Sequence, residues 1–236
     1  MLKIVNLSKS YKNKKIIDNI CLEIKDGDIF GFIGRNGAGK TTTIKCIVGI
    51  NSIDEGSILL DNISIKKDPK LFKQKISYIP DTPNLYDNLT GIQYLNFIAD
   101  IYNVEKNQRK EIILKYAEVF TLKDDLKNLI SSYSHGMKQK LLFISAMIHK
   151  PEILILDEPF IGLDPIASYK VKNLIQELCK LGCSVFFSTH VLDVAEKICN
   201  KIAIIKDGNI IISGSTKEVL KNKSLEYLFM ELMENE

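Results

Sequence analysis

Apolar and polar residues alternate along the N-terminal part of the chain in short runs that are separated by turns. "LKIVNLSKSY" and "CLEIK" alternate with a period of two, and "IFGFIG" follows the turn "KDGD". A helical run, "KTTTIKCIVGI", comes next, and "GSILLDNISI" returns to the strand pattern. From about Pro83 to Ile148 the period becomes that of helices, since "GIQYLNFIADIY" and "RKEIILKYAEVF" each place their apolar residues on one face. The pattern therefore predicts strands first and a helical segment afterwards.

After Pro151 the apolar runs become continuous instead of alternating. "EILILDEP" and "CSVFFSTH" are short apolar runs on either side of a helix at "IASYKVKNLIQELCKLG". Runs of this kind are typical of strands buried on both faces, as in parallel sheets. "KIAIIKDGNIIISG" predicts a hairpin at Asp207-Gly208, and "SLEYLFMELMENE" predicts an amphipathic helix. We therefore expect one α/β domain over 1–236, with a core at 1–82 and 149–236 and an inserted helical subdomain at 83–148.

Composition and charge narrow the class of protein. A chain of 236 residues with 45% hydrophobic and 26% charged residues is typical of a soluble globular protein. The net charge is only +3, and Arg35 and Arg109 are the sole arginines, so we expect no nucleic-acid partner. The five cysteines are scattered, which predicts buried reduced thiols and not a metal site. No apolar run reaches the ~20 residues of a membrane span, and "MLKIVNLSKSYK" lacks the apolar core of a signal peptide. The sequence predicts a cytosolic chain.

A phosphate-binding loop is the clearest chemical motif. In "GFIGRNGAGKTTTIK", Gly34, Gly39, Lys40 and Thr41 fit the pattern G-x-x-x-x-G-K-[ST] between a predicted strand and a predicted helix. Glycines let successive N–H groups converge on a phosphate, and the helix adds the positive end of its dipole. Lys40 is expected to reach the β- and γ-phosphates, and the Thr41 hydroxyl to ligate Mg²⁺. The residues predicted to bind nucleotide here are Gly34, Arg35, Asn36, Gly37, Ala38, Gly39, Lys40, Thr41 and Thr42.

An acidic pair indicates which chemistry accompanies the loop. "EILILDEP" delivers Asp157 and Glu158 at the end of a buried strand. Alone, such a pair is equally typical of a solvated loop. Beside a phosphate loop, Asp157 is expected to hold Mg²⁺ and Glu158 to orient or deprotonate the attacking water. The combination favours a nucleotide hydrolase.

At this point the chain resembles the ATP-binding cassette (ABC) family over nearly its whole length. "YSHGMKQK" resembles the ABC signature, commonly L-S-G-G-Q, with Ser134 and Gly136 in matching places, and "GLDP" resembles the D-loop. "STH" puts His190 at the switch histidine, and Tyr11 is at the place of the aromatic that stacks on adenine. The resemblance implies a P-loop NTPase fold with a mixed, mainly parallel sheet, an N-terminal antiparallel β subdomain and a helical subdomain. It also implies that Ser134 and Gly136 serve the ATP of a second cassette, with catalysis by Glu158, His190 and Lys40.

Two positions depart from the family pattern. In "ISYIPDTPNLYDNLT" Asp81 replaces the Q-loop glutamine, and its shorter carboxylate is carried over as a Mg²⁺ ligand with that difference. In the signature, His135 replaces the second glycine and Met137 replaces the glutamine. His135 either approaches the nucleotide or faces solvent, and we favour solvent.

The resemblance implies an ATPase that uses ATP and Mg²⁺ and pairs head to tail with a second cassette, in a homodimer or a heterodimer. We expect it to power transmembrane permease subunits from the inner face of the membrane, with export favoured by the wording of "YSHGMKQKL" and "EPFIGLDP". Alternatives are an importer cassette, a soluble ABC protein acting on ribosomes or nucleic acid, and a regulator that binds nucleotide without hydrolysis. The lack of a repeated cassette weakens the second alternative, and Glu158 with His190 argues against the third.

Overall fold

The computed structural model of the chain describes residues 1–221 and 223–234. The strands are β1 (Leu2–Tyr11), β2 (Lys14–Ile24), β3 (Ile29–Ile33), β4 (Glu55–Leu60), β5 (Ile63–Ser64), β6 (Ile76–Ile79), β7 (Ile153–Asp157), β8 (Ser184–Thr189), β9 (Lys201–Lys206) and β10 (Asn209–Ser215). The α-helices are α1 (Lys40–Ile47), α2 (Pro69–Gln74), α3 (Gly91–Ile101), α4 (Lys106–Val119), α5 (His135–Met147), α6 (Pro165–Lys180), α7 (Leu192–Ile198), α8 (Thr216–Leu220) and α9 (Leu225–Glu234). This order confirms the expected α/β class.

The structure differs from the sequence pattern at several places. "GSILLDNISI" is not one strand, because Asp61 and Asn62 take positive φ angles of 47° and 68° and turn the chain between β4 and β5. α2, β6 and α7 are too short to produce a clear period, and the pattern did not predict them. Cys21 is exposed, so the expectation of buried thiols is wrong at that position. The last two residues of the predicted terminal helix, 235 and 236, lie outside the described residues.

Two sheets form the core. A four-stranded antiparallel sheet has the order β2-β1-β4-β5, and a six-stranded sheet has the order β10-β9-β3-β8-β7-β6. In the second sheet only β10 pairs antiparallel within the described strands, so β9, β3, β8, β7 and β6 all run in one direction. Parallel neighbours end at the same edge of a sheet, and ligands bind at that edge in open α/β sheets. The carboxyl ends of β3, β7 and β8 are therefore the place to look for a site.

The apolar runs of the central strands are continuous because both faces are covered. Phe30 and Phe32 of β3 point into a core shared with the antiparallel sheet, and Ile33 points into a core shared with the helices. In β7, Ile155 and Leu156 divide between the same two cores. Every residue of β3, β7 and β8 is buried, as expected for strands between two layers.

The chain between β6 and β7 contains α3, α4 and α5. The start of α3 is fixed by a capping box, in which the Thr90 side chain accepts from Gln93 N and the Gln93 side chain accepts from Thr90 N. The helices pack through fully buried residues such as Leu95 and Phe143. Throughout residues 1–221 and 223–234, no helix combines the length and apolar character needed to cross a bilayer.

Candidate functional site

The three predicted motifs meet at the carboxyl edge of the parallel strands. The loop after β3, the acidic pair at the end of β7 and the histidine after β8 come together because β3–β8 and β7–β8 are neighbouring pairs. They surround a cavity of about 450 Å³. Its lining consists of Ile16, Arg35, Asn36, Gly37, Gly39, Lys40, Thr41, Thr42, Asp81, Thr82, His135, Glu158, Ile161 and His190. Most of the predicted cofactor-binding residues thus share one cavity.

The phosphate loop is built where only glycine fits. A Cβ on Gly34 would lie 2.7 Å from the Ile205 carbonyl oxygen, and Gly39 has a φ of +108° that L side chains rarely adopt. α1 begins at Lys40, directly after Gly39, so the N–H groups of its first turn point toward the loop. Gly34 and Ala38 lie outside the cavity lining and shape the loop from behind. This combination of free N–H groups and helix dipole is an anion-binding arrangement.

Lys40 connects the loop to the acidic pair. Its side chain is 6% exposed, and Nζ donates to the Gly34 carbonyl oxygen at 2.7 Å. The same Nζ lies 3.4 Å from Glu158 Oε1. A single buried ammonium therefore sits between the loop and the carboxylate at the end of β7, where it can meet a phosphate group.

Glu158 and His190 form a hydrogen-bonded pair beside Lys40. His190 Nδ1 lies 2.9 Å from Glu158 Oε1, and the His190 backbone N donates to Glu158 Oε2 at 3.3 Å. Because a carboxylate only accepts, Nδ1 is the donor in this pair. Glu158 has a φ of +48°, a left-handed conformation that costs about 1–2 kcal/mol in a residue with a side chain. Strain of this kind marks functional sites, and here it aims the carboxylate into the cavity.

Asp157 is the buried carboxylate of the site. Its side chain is fully buried, Oδ1 accepts from the Ser188 hydroxyl, and Oδ2 has no protein partner among the described residues. Burial raises the pKa of Asp157, and the neighbouring Asp81 and Glu158 carboxylates act in the same direction. The hydroxyls of Ser188 and Thr41 oppose this rise in pKa. The site thus contains an ionisable oxygen that only a cation or a proton would satisfy.

This arrangement fits a magnesium ion held together with a nucleotide. Mg²⁺ in phosphate-binding sites is typically held by one or two carboxylates, waters and the phosphate oxygens. The orphaned Asp157 Oδ2 and the hydroxyl of Thr41 are oxygens of the required type, and the two side chains lie close enough to interact. Within the part of the chain that the structure describes, no cluster of three or more His, Cys, Asp or Glu side chains could hold a metal alone. Asp81 lines the cavity, but its Oδ1 accepts from the Thr82 backbone N at 2.8 Å, so its place as a ligand stays a prediction.

Three predicted binding residues lie elsewhere. Ser134 caps α5, since its hydroxyl accepts from Met137 N at 3.3 Å, and it is exposed. Ser134 and Gly136 lie outside the cavity that contains the phosphate loop of the same chain. Tyr11 is 47% exposed and its hydroxyl accepts from Asn51 Nδ2 at 2.6 Å, also outside this cavity. Their roles toward nucleotide stay predictions.

The cavity also contains residues that the motifs did not select. Ile16 of β2, Thr82 and Ile161 line it, although no role in the site was predicted for them. His135 is exposed, as expected, yet it also lines the cavity, so it faces both solvent and the site. The sequence indicated this placement of His135 only through its position inside the signature, next to Ser134.

Comparisons with known proteins agree with this geometry. The family model described as "ABC transporter" matches residues 17–161. The chain is 33% identical to the ABC-type transporter ATP-binding protein EcsA of Bacillus subtilis (strain 168), over 98% of this chain and 96% of that protein. It is 36% identical to the bacitracin transport ATP-binding protein BcrA of Bacillus licheniformis, over 98% of this chain and 75% of that protein.

Solved structures show the same fold. An ATP-binding subunit of an ABC transporter superposes with a TM-score of 0.96 at 30% identity, covering 99% of this chain and all of that chain. A dimeric post-hydrolysis state of the ATP-binding cassette MJ0796 bound to ADP and Pi superposes with a TM-score of 0.84 at 25% identity, covering 92% of this chain and 99% of that chain.

Proposed function

The chain belongs to the ABC transporter family as an ATP-binding, ATP-hydrolysing cassette, and we propose that it powers a membrane exporter by ATP-driven head-to-tail dimerisation. In this proposal 1–82 and 149–236 form the nucleotide-binding core, and 83–148 form the helical subdomain that carries the signature. The chain works from the cytoplasmic face of the membrane, held there by permease subunits. The observation that carries the catalytic part is the placement of the Glu158 carboxylate between Lys40 and His190.

In this proposal each side chain has a separate task. The loop N–H groups and Lys40 bind the β- and γ-phosphates, and Lys40 offsets their charge in a site where it is 6% exposed. Glu158 accepts the proton of the attacking water, and the Nδ1–H of His190 fixes the carboxylate in place. Thr41 and Asp157 would hold Mg²⁺, which would supply positive charge to offset that of the phosphates. Tyr11 stacks on the adenine, and Asp81, which follows β6, reaches the site as a further carboxylate.

The position of the signature supports a dimer in which each chain completes the other's site. Ser134, which caps α5, is exposed and lies outside the chain's own phosphate cavity. A helix N-terminus whose capping hydroxyl can still donate its hydrogen suits a γ-phosphate, and the phosphate of a second copy can reach it from solvent. The dimeric ADP-bound cassette that superposes on the chain supports the same arrangement. A two-fold interface repeats each contact, so the dimer would contain two such sites.

An exposed aromatic patch supports a protein partner at the helical segment. Phe97 and Ile101 lie one turn apart on α3 and are 42% and 55% exposed. Tyr86, which is 54% exposed, packs its ring edge to face on Phe97 at 5.6 Å. The patch follows Asp81 closely in the chain, so a permease subunit bound there could sense the nucleotide site. The relative named for bacitracin transport, at 36% identity, supports export as the direction.

The test of catalysis is the substitution Glu158→Gln. The variant should still bind ATP and should accumulate an ATP-bound dimer, while hydrolysis falls at least about 100-fold because the general base is lost. Glu152→Gln is the matched control, since Glu152 lies just before the same strand and is exposed, and it should keep normal turnover. Hydrolysis is measured as phosphate release, and dimerisation by size-exclusion chromatography with ATP. Wild-type turnover in Glu158→Gln would refute the assignment.

The partner is tested by purifying the chain from native membranes in mild detergent. Co-purification of a polytopic membrane protein, with ATPase activity that depends on it, supports the transporter. Recovery of ribosomes or nucleic acid with the chain would favour the soluble alternative instead. Transport of the cargo into inside-out vesicles on addition of ATP would support export, and its release would support import.

A further inference from the structure

His135 makes a close contact with the turn that follows the catalytic glutamate. A Cβ placed on Gly162 would lie 2.6 Å from His135 Cδ2 and 2.8 Å from His135 Nε2. The edge of the imidazole therefore rests against the α-carbon of Gly162, where an added methyl group would force the ring to move. Gly162 has a φ of +76°, so the turn itself also favours glycine. His135 is the first residue of α5, which makes this a contact between the signature and its own chain.

Neighbouring contacts extend this connection in both directions. Ile161 N donates to the Glu158 carbonyl oxygen at 3.2 Å, which closes the turn between Glu158 and Gly162. One turn further along α5, Lys140 Nζ lies 3.6 Å from Asp164 Oδ2. Asp164 in turn caps α6 by accepting from Ala167 N at 2.7 Å. The first turns of α5 thus touch the C-terminal part of the segment 158–164, at Gly162 and Asp164, and the Ile161–Glu158 hydrogen bond connects that part to Glu158.

The same segment holds the catalytic carboxylate in a strained conformation. Glu158 keeps its φ of +48° while its N donates to Ser188 Oγ at 3.0 Å. A left-handed glutamate persists only where its surroundings fix it. Ser188 fixes the strand side, and the Ile161–Gly162 turn, with His135 lying on it, fixes the loop side.

We propose that His135 is a positioning residue for ATP hydrolysis, which acts in cis by seating the start of α5 on the Gly162 turn and so holding Glu158 of its own chain. The proposal rests on the dimer described above, in which Ser134 of the same helix start acts in trans on the partner's ATP. The signature would then have two directions of action, because Ser134 faces the partner and the His135 ring edge rests on its own loop. Nucleotide bound at the partner's site would in this way adjust the general base of this chain.

Mixed dimers separate the two directions. Two differently tagged chains are combined, and one carries Glu158→Gln so that hydrolysis occurs only at the cradle of the other chain. In the first arm His135→Ala is placed in the hydrolysing chain, and in the second arm it is placed in the Glu158→Gln chain. The cis proposal predicts about a tenfold loss of kcat in the first arm, within the range expected for a displaced catalytic group, and normal kcat in the second. KM for ATP should stay unchanged in both arms, since His135→Ala removes no phosphate ligand.

Ser134→Ala, placed in the same two arms, controls for the dimer itself. It should reduce hydrolysis only when it is in the Glu158→Gln chain, because its hydroxyl serves the partner's ATP. If Ser134→Ala instead acts in the hydrolysing chain, or if both arms stay active, the head-to-tail dimer is wrong and the cis proposal fails with it. If Ser134→Ala behaves as expected but His135→Ala reduces kcat only in the second arm or in neither arm, the dimer stands and the cis proposal alone is overturned.

A second measurement avoids any dependence on one variant. Gly162→Ala adds the methyl group that meets His135, and Gly182→Ala adds one at a φ of +95° with open space around it. Both substitutions are tested in dimers whose two chains carry the same substitution. Gly162→Ala should lower kcat several-fold more with His135 present than in the His135→Ala background. Gly182→Ala should leave kcat unchanged in both backgrounds. An equal loss in both backgrounds would mean that the contact transmits nothing to Glu158. A shift in unfolding midpoint without a change in kcat would mean that His135 has only a structural role, which also overturns the proposal.

Discussion

Gln139 gives the sharpest test of how the start of α5 is stabilised. Its side chain is fully buried, and neither Nε2 nor Oε1 has a hydrogen-bond partner among the described residues. Leaving a buried amide unpaired costs roughly 1–3 kcal/mol, as judged from protein substitutions. Methionine has a similar length and a comparable helix propensity, and it contains no group that needs a partner. We therefore expect Gln139→Met to raise the free energy of unfolding by about 1–3 kcal/mol.

The measurement is urea unfolding followed by circular dichroism, with the midpoint and the m-value fitted together. An increase in midpoint at constant m-value reports stability and not a change in compactness. For a chain of this length, each kcal/mol corresponds to about 2–4 °C in Tm. Gln176→Met is the matched control, because Gln176 is an exposed residue within α6, and it should have little effect. A loss of stability in Gln139→Met relative to the control would show that the amide is paired and that the reasoning is wrong.

Two further predictions concern buried titratable groups of the nucleotide core. Burial raises the pKa of Asp157, so its ionised form lowers the stability of the fold once the pH rises above the ordinary value of 3.8. Asp157→Asn should therefore increase the urea midpoint at pH 7, and it should abolish Mg²⁺-dependent hydrolysis. An unchanged or lower midpoint would contradict the predicted direction. Burial lowers the pKa of His149 below 6.5, an effect that the Ile76 carbonyl oxygen partly opposes, so the stability that comes from neutral His149 is lost as the pH falls from 6.5 through the folded-state pKa. In the wild type the free energy of unfolding should fall between pH 7 and pH 5 by at most about 1.4 kcal/mol per pH unit. His149→Gln should make the urea midpoint depend less on pH over this range, and an unchanged pH dependence would refute the prediction.

The pattern of apolar residues predicted the central strands because their composition differs from that of the rest of the chain. The continuous apolar runs of β3, β7 and β8 follow directly from burial on two faces, and the motif residues at their ends then meet because parallel strands share an edge. α2 and β6, at six and four residues, are too short for a period to be read. Their placement depends on contacts with distant parts of the chain, as in the pairing of β6 with β7.

In the site, too, contacts between residues that are distant in the chain could not be predicted from the sequence. Lys40, Thr41 and Glu158 could be selected from the phosphate chemistry and His190 from the family resemblance, and the cavity contains all four. The contact between His135 and Gly162 could not, because it joins a helix start to a turn after the next strand and neither residue is required by the phosphate. The turning of Asp81 onto the Thr82 N–H likewise depends on loop geometry that residue identity does not fix.

Two unfavourable features of this chain lie at the carboxyl end of β7 and a third lies on α5, and together they have a consequence for its stability. Glu158 is held at a φ of +48°, and Asp157 is ionisable yet fully buried. Gln139 leaves a buried amide unpaired five residues after Ser134, on the same helix. A domain is stable by only about 5–15 kcal/mol, so a few such features consume a large share of its stability. A substitution that removes the backbone strain at Glu158 or the buried carboxylate at Asp157 should therefore stabilise the protein. The same substitution should reduce hydrolysis, because these two carboxylates are the groups that act at the nucleotide.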